Sequence, residues 1–307
     1  MTNGLRNEKT ETLGVSLDEV NLAQENLKGV IKNTPFDFNE NLSRQFEANV
    51  YLKREDLQVV RSYKLRGAYN KIVQLTEQEK NNGVICASAG KHAQGVAYSC
   101  QQLNIKGKIV MPTTTPQQKI KQVKWFGKNQ IEIILHGDTF DDASAFAHQL
   151  SQEGNITFIH PFDDEKVIAG QGTVALEILN QCDQPIDYIF VPIGGGGLAS
   201  GVISVLKSLS PNTKIIGVEP SGAASMAEAI KQKQSIALAK IDPFVDGAAV
   251  KKAGEKTYKI CTEGLETTCA VPEGKVCSSI LRLYNEDAIV VEPAGALTIA
   301  ALDFYKD

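Results

Sequence analysis

The sequence predicts an α/β protein with two open, mostly parallel, doubly wound sheets, in which a smaller domain is inserted in a larger one. Between residues 83 and 160, short apolar runs alternate with amphipathic segments, and a second alternating set begins at residue 187. Strands that alternate with helices imply right-handed crossovers and a parallel sheet. The eight or nine strands expected fit two such sheets better than one.

The predicted elements begin with a helix at 16–31 and a short strand at 49–53, each indicated by its apolar spacing. The first alternating set comprises, in order, a strand at 84–87, a helix at 91–103, a strand at 107–111, a helix at 116–126, a strand at 131–135, a helix at 141–152 and a strand at 157–159. The second set comprises a strand at 187–193, a helix at 198–209, strands at 214–219 and 288–291, and a helix that ends at residue 305.

These sets predict a large domain of residues 1–79 and 158–307 and a small domain of residues 80–157. No linker rich in proline, glycine or serine separates the two, so we expect an extensive interface rather than a tether. Parallel sheets bind ligands beyond the carboxyl ends of their strands, and the site is therefore expected between the domains.

Composition excludes several classes of function. The 307 residues are 42% hydrophobic with a net charge of −4 and scattered basic residues, which argues against a nucleic-acid partner. No apolar run is long enough to span a membrane, and the polar residues 1–15 lack the apolar stretch of a signal peptide, so a cytoplasmic protein is expected. The six cysteines show no CxxC pair or metal-ligand spacing, so we expect reduced thiols and no metal site.

A run of four glycines, Gly194, Gly195, Gly196 and Gly197, follows a predicted strand and precedes a predicted helix. Backbone amides and a helix N-terminus converge on an anion in such a place, which favours a phosphate site. A tight turn that needs positive φ is the alternative, but it explains one or two glycines rather than four. The run is neither a Walker loop nor a clean GxGxxG, so a single phosphate is the simpler ligand.

Two further segments carry candidate side chains. Lys64 lies in SYKLRGA at 62–68, where a solvated helical lysine is the alternative reading. The small residues Ser88, Ala89 and Gly90 end a strand, and the free amides of the helix that follows favour a carboxylate. His92 in the same loop can equally be a packed or capping histidine.

Together these motifs resemble the fold-type II pyridoxal-phosphate enzymes, which share the tryptophan synthase β-like fold, and within them the threonine dehydratases. The resemblance runs from about residue 16 to the end of the chain. The motifs that carry it are SYKLRGA at 62–68, SAGKHAQG at 88–95, the glycine run with Leu198, GVEP at 217–220, VDG at 245–247 and VEPAGA at 291–296.

The resemblance implies a role for each segment. Lys64 matches the lysine that holds pyridoxal 5'-phosphate covalently and, as a free amine, acts as the base at the substrate α-carbon. Gly194 to Gly197 with Leu198 match the phosphate cradle, and Ser88, Ala89, Gly90 and His92 match the loop that grips the substrate carboxylate. Lys91 and Glu292 match positions beside the cofactor ring.

The implied activity is the deamination of L-threonine to 2-oxobutanoate and ammonia, of the isoleucine-biosynthesis type, with L-serine as a second amino-acid substrate. The resemblance also implies a homo-oligomer, a dimer or a tetramer. Serine racemases of this fold carry a serine at the position of Ala89, and alanine cannot transfer a proton, so elimination is favoured over racemisation. The metal-binding relatives have a further carboxylate a few residues after the glutamate that matches Glu219. This sequence lacks that second carboxylate, so no metal is expected.

The sequence departs from the family in two places. Lys91 replaces the asparagine that bonds the phenolic oxygen of the cofactor, and it can stabilise that oxygen, compete with Lys64 or turn to solvent. The chain also lacks the last family strand and its Ser-Gly-Gly-Asn turn after Asp307. These departures leave a non-catalytic or weakly active relative as one alternative. Serine racemase or another fold-type II elimination or replacement enzyme is a second, and a nucleotide-binding Rossmann protein is a third.

Overall fold

A computed structural model describes residues 13–305, which form three sheets surrounded by helices. The strands are β1 (Phe36–Phe38), β2 (Tyr51–Lys53), β3 (Val84–Ala87), β4 (Gly107–Met111), β5 (Ile131–Leu135), β6 (Thr157–Phe158), β7 (Tyr188–Pro192), β8 (Lys214–Pro220) and β9 (Thr267–Val271). The helices are α1 (Leu17–Leu27), α2 (Glu40–Phe46), α3 (Lys64–Val73), α4 (Glu77–Asn82), α5 (Lys91–Leu103), α6 (Gln117–Gly127), α7 (Phe140–Gly154), α8 (Glu165–Gln181), α9 (Gly197–Leu209), α10 (Ser225–Gln232), α11 (Glu255–Gly264), α12 (Glu273–Asp287) and α13 (Pro293–Leu302).

The four-stranded sheet has the order β5-β4-β3-β6 and is parallel throughout. All four residues of the central strand β3 are buried, as expected for a strand covered on both faces. Cys86 packs in a cluster with residues of α5 and α6, whereas Ile85 and Ala87 pack with Ala143 and Ala147 of α7. Because successive side chains of a strand point to opposite faces, this sheet is doubly wound.

The three-stranded sheet has the order β7-β8-β9 and is also parallel. One face packs on α1, α8 and α9 through a cluster that includes Val191, Ile193 and Ile215. The other face packs on α12 and α13 through a cluster that includes Val218 and Val271. Both parallel sheets confirm the predicted fold class.

Helix α3 crosses α8 at very short range, and this contact positions the first residue of α3, Lys64. A Cβ atom on Gly170 would lie 2.6 Å from the backbone oxygen of Arg66 and 2.7 Å from the Cα atom of Gly67. Only glycine allows two backbones to approach so closely. The sequence motif around Lys64 therefore has a packing role as well as a chemical one.

One predicted strand is wrong. Within residues 13–305, no strand pairs with the predicted strand 288–291. Ala288 instead ends α12 in the left-handed conformation (φ 53°), and α13 begins two residues after Val291. The third strand of the sheet is β9 instead, which pairs with β8. The other predicted strands form within one or two residues of their expected ends.

Two expectations are only partly addressed by the structure. The four-stranded sheet falls within residues 84–158, but the predicted domain boundaries remain a prediction. The expectation of a cytoplasmic protein depends on the polar residues 1–15. Of these, residues 1–12 lie outside the described residues. Within residues 13–305, no helix combines the length and apolarity needed to cross a bilayer.

Candidate active site

A cavity of about 1230 Å³ collects most of the predicted site residues. It is lined by residues that follow the carboxyl ends of strands in both parallel sheets, as the rule for such sheets predicts. The predicted residues along its wall are Lys64, Ser88, Ala89, Gly90, Lys91, His92, Gly194, Leu198 and Glu292.

Lys64 points its amine into this cavity from the first turn of α3. The Nζ atom donates a hydrogen bond to the backbone oxygen of Pro161 at 3.2 Å and lies 5.5 Å from the centre of the Tyr63 ring. Burial lowers the pKa of Lys64 to about 8, although the carboxylate of Glu292 opposes this shift. The uncharged amine, which a nucleophile or base requires, is therefore far more populated near neutral pH than in an exposed lysine, although the charged form still predominates.

The glycine run lies where β7 ends and α9 begins. Gly195, Gly196 and Gly197 are buried, and among residues 13–305 no group accepts a hydrogen bond from the amides of Gly194 to Gly197. Buried amides normally have a partner, and amides at a helix N-terminus bind anions. The four amides are thus a donor set that fits a phosphate.

The aromatic ring of Phe162 covers the glycine run, a contact that the sequence interpretation missed. A Cβ atom on Gly195 would lie 2.3 Å from the ring, and one on Gly197 would lie 2.9 Å from the Cβ atom of Phe162. The turn is held by His160, whose Nδ1 atom accepts hydrogen bonds from the amides of Phe162 and Asp163 at 3.2 and 2.7 Å. Burial lowers the pKa of His160 to about 4, which keeps the ring neutral and able to accept.

Asp163 ties the same turn to α11. Its carboxylate accepts hydrogen bonds from the amides of Glu255, Lys256 and Thr257, each at 3.0 Å. A carboxylate from a distant turn therefore caps this helix, while the Thr257 hydroxyl donates to the backbone oxygen of Gly195 at 2.6 Å. The acidic pair after His160 and Pro161 was the available sequence signal for this turn.

The loop after β3 presents small residues and free amides to the cavity. The hydroxyl of Ser88 accepts a hydrogen bond from the amide of Gly90 at 3.1 Å, and within the described chain the amides of Ala89 and Lys91 have no acceptor. His92 is buried and its Nε2 atom bonds the backbone oxygen of Ile159 at 2.9 Å. Burial, followed by the charge of Lys64, lowers the pKa of His92 to about 3, so the ring is a neutral, packed part of the wall.

Lys91 turns into the cavity and pairs with Glu292, with 3.5 Å between Nζ and Oε2. Burial raises the pKa of Glu292, as does Asp246, and Lys91 counteracts the rise. Two more ion pairs cross the cavity mouth, between Lys119 and Asp246 and between Lys251 and Asp141. Three lysines therefore meet three carboxylates across the opening.

No cluster of three or more His, Cys, Asp or Glu side chains within the described ranges could hold a metal ion. The buried carboxylate of Glu219 accepts hydrogen bonds from the amides of Met226 and Ala227, each at 2.8 Å. Burial raises its pKa to about 7. Its role here is to cap α10.

Comparison with known proteins places these features in a family. Residues 27–307 match the family described as "Pyridoxal-phosphate dependent enzyme". The chain is 59% identical over 293 residues to the biosynthetic L-threonine dehydratase of Halalkalibacterium halodurans, covering 95% of this chain and 71% of that protein. It is 58% identical over 285 residues to the corresponding protein of Bacillus subtilis, covering 93% of this chain and 68% of that protein.

Solved structures give the same picture. The processed form of threonine deaminase isoform 2 from Solanum lycopersicum superposes with a TM-score of 0.88 at 42% identity, covering 97% of this chain and 88% of that one. Maize serine racemase superposes with a TM-score of 0.91 at 29% identity, covering 96% of this chain and 88% of that one.

Proposed function

Since this chain belongs to the family of pyridoxal-phosphate-dependent enzymes, we propose that it deaminates L-threonine to 2-oxobutanoate and ammonia. The observation that carries the proposal is the partly buried amine of Lys64 in a cavity whose wall also includes Gly194. Gly194 is the first of four glycines whose amides have no acceptor among residues 13–305. An amine of lowered pKa suits the aldehyde of the cofactor, and the amides suit its phosphate. The names of the relatives at 58–59% identity support threonine as the substrate.

Each of the residues around the cavity would have a separate role in binding. Lys64 would hold the cofactor through Nζ, and Gly194 to Gly197 with Leu198 would hold its phosphate. Ser88, Ala89, Gly90 and His92 would form the wall that receives the substrate carboxylate, where free amides and the N-terminus of α5 favour negative charge. Glu292 and Lys91 would flank the ring of the cofactor.

When bound, pyridoxal phosphate supplies an electron sink that makes the α-proton of an amino acid acidic. Once the substrate's own amine has replaced Lys64 on the cofactor, the freed amine of Lys64 would accept that proton at Nζ, for which its lowered pKa is suited. The same ammonium could then protonate the departing β-hydroxyl, so that water leaves and the amine of Lys64 is regenerated. Ala89 offers no proton donor from the loop opposite, which favours elimination over racemisation.

Three broader features belong to the same proposal. Residues 1–79 and 158–307 would form the large domain and residues 80–157 the small one. The enzyme would act in the cytoplasm as a homo-oligomer, in isoleucine biosynthesis, with L-serine converted to pyruvate as a side activity. One missing methyl group changes substrate preference by only about 1–3 kcal/mol, so both amino acids are expected to react.

The test is an assay of the purified full chain with pyridoxal phosphate and L-threonine, in which 2-oxobutanoate and ammonia are each measured by a coupled enzyme. We expect equal amounts of both products, none from Lys64→Ala, and a visible absorbance band that the variant lacks. A band without turnover would indicate a non-catalytic relative, and a change in the chirality of L-serine as the main reaction would indicate a racemase. A band that survives in Lys64→Ala would move the attachment site to Lys91.

A further inference from the structure

The side chain of Lys91 is mostly enclosed, with 21% of its surface exposed, and it points toward Glu292 rather than into solvent. The two residues come from different ends of the chain: Lys91 begins α5, and Glu292 immediately precedes α13. Their charged atoms are 3.5 Å apart within the cavity that also holds Lys64. The ion pair is thus part of the surroundings of the Lys64 amine.

Among residues 13–305, Glu292 is the carboxylate that acts on Lys64. The other titratable groups that face this amine are Tyr63, His92 and His160. Both histidines are neutral because burial lowers their pKa values, and burial keeps the Tyr63 phenol protonated by raising its pKa. The charge state of Lys64 therefore depends mainly on burial and on Glu292.

Lys91 competes with Lys64 for this one carboxylate. Asp246, the second carboxylate near Glu292, already pairs with Lys119. Lys119 also acts on Glu292, but it is held in this pair with Asp246. If position 91 were uncharged, Glu292 would lose its ion-pair partner, and an unpaired carboxylate in the same cavity favours the charged form of the Lys64 amine. A charged ammonium cannot attack an aldehyde.

We propose that Lys91 is a positioning residue: by pairing with Glu292 it withholds the carboxylate from Lys64 and keeps the Lys64 amine available for reaction. The inference rests on the proposed function, because that function is what gives the Lys64 amine a use. The reactivity of the amine can nevertheless be measured without cofactor or substrate. Lys91 is then neither a solvent-facing side chain nor a second attachment site.

The experiment is competitive acetylation of the full chain, free of cofactor, with trace acetic anhydride between pH 6 and 10. Mass spectrometry gives the labelling of Lys64 relative to the exposed Lys231. Lys91→Asn is expected to raise the pH midpoint of Lys64 labelling by about one unit, a tenfold loss of reactivity near neutral pH. Lys91→Arg is expected to keep the parental midpoint, and Lys91→Asn combined with Glu292→Gln is expected to restore it.

Lys251→Asn is the matched control, because it removes another ion pair across the cavity mouth, 2.6 Å from Asp141, without contacting Glu292. It is expected to leave the midpoint unchanged. An unchanged midpoint in a folded Lys91→Asn protein would overturn the proposal, and so would an equal shift in Lys251→Asn. If the midpoint moves as expected but threonine is not deaminated, the proposed function fails while this inference stands.

Discussion

Arg66 and Glu177 form a bidentate ion pair in the protein interior, with Nη1 to Oε1 at 2.6 Å and Nη2 to Oε2 at 2.9 Å. The guanidinium is fully enclosed and also bonds both carboxylate oxygens of Glu55, at 2.9 Å from Nε and 2.7 Å from Nη2. Lys53 adds a second cation to Glu177 at 2.6 Å. The network fixes α3 against α8, two residues after Lys64.

Arg66→Met is therefore expected to lower the free energy of unfolding by about 3–5 kcal/mol, because it leaves two enclosed carboxylates without their shared cation. Urea unfolding followed by circular dichroism measures the loss. The control is Arg44→Met, which removes an exposed arginine bonded to Asn41 and is expected to cost less than about 1 kcal/mol. Equal losses in the two variants would show that the network is not a major source of stability.

Gly196→Ala is expected to weaken cofactor binding at least tenfold. Gly196 has φ 93°, and an added Cβ would lie 2.7 Å from the Met226 side chain and 2.8 Å from that of Thr257, so the loop must shift. Titration of the visible absorbance band with pyridoxal phosphate gives the affinity. Gly274→Ala, in open space on α12, is the comparison; it is expected to leave affinity unchanged and to raise stability by up to about 1 kcal/mol.

Asp163→Ala is expected to cost about 1–2 kcal/mol of stability through loss of the α11 cap, and to weaken cofactor binding because Phe162 is released from the glycine run. Asp142→Ala removes the reciprocal partner of Thr139 in a capping box at the start of α7. It is expected to lower stability without changing cofactor affinity. If Asp163→Ala left the affinity unchanged, the Phe162 turn would have no part in the phosphate site.

The buried histidines predict a pH dependence of stability. The pKa of His92 is about 3 in the folded chain, whereas an unfolded histidine titrates near 6.5. The unfolded state therefore binds the extra proton first, and the contribution of neutral His92 to stability, complete above pH 6.5, falls by about 1.4 kcal/mol per pH unit as pH decreases toward 3.

Unfolding of parental and His92→Asn proteins between pH 7 and 4 isolates this contribution, and the variant is expected to lose stability less steeply on acidification. Glu219→Gln should act in the opposite direction. The pKa of Glu219 is about 7, so the folded state takes up a proton at a higher pH than the unfolded state does and gains stability as the pH falls. Removing this carboxylate is therefore expected to make the loss of stability on acidification steeper. Parallel pH curves for all three proteins would contradict both assignments.

Local patterns were sufficient to predict most of the fold. A fully apolar segment such as β3 and the alternating segments around it have few alternatives once the chain must bury them. The strand prediction at residues 288–291 was wrong because a strand also needs a neighbouring strand with free backbone groups. Sequence periodicity does not report whether such a neighbour exists. Pairing with β8 is provided instead by β9, whose partly exposed residues gave a weaker pattern.

The site was predictable only in part, for a similar reason. Glycine runs and helix starts bear a local signature, so residues 88–92 and 194–198 could be singled out before the structure was known. The contacts that set their chemistry are long-range. Phe162 covers glycines more than thirty residues later in the chain, and the partner of Lys91 is Glu292, some two hundred residues away. No spacing rule connects residues so far apart.

This dispersal of the site along the chain gives the protein a built-in visible reporter of folding. Segments near residues 64, 90, 162, 195 and 292 meet in one cavity only when both sheets have assembled. A yellow colour from lysine-bound cofactor would therefore distinguish correctly assembled variants from collapsed ones in a library of colonies or cell pellets. Core substitutions far from the cavity could be ranked in this way before any protein is purified.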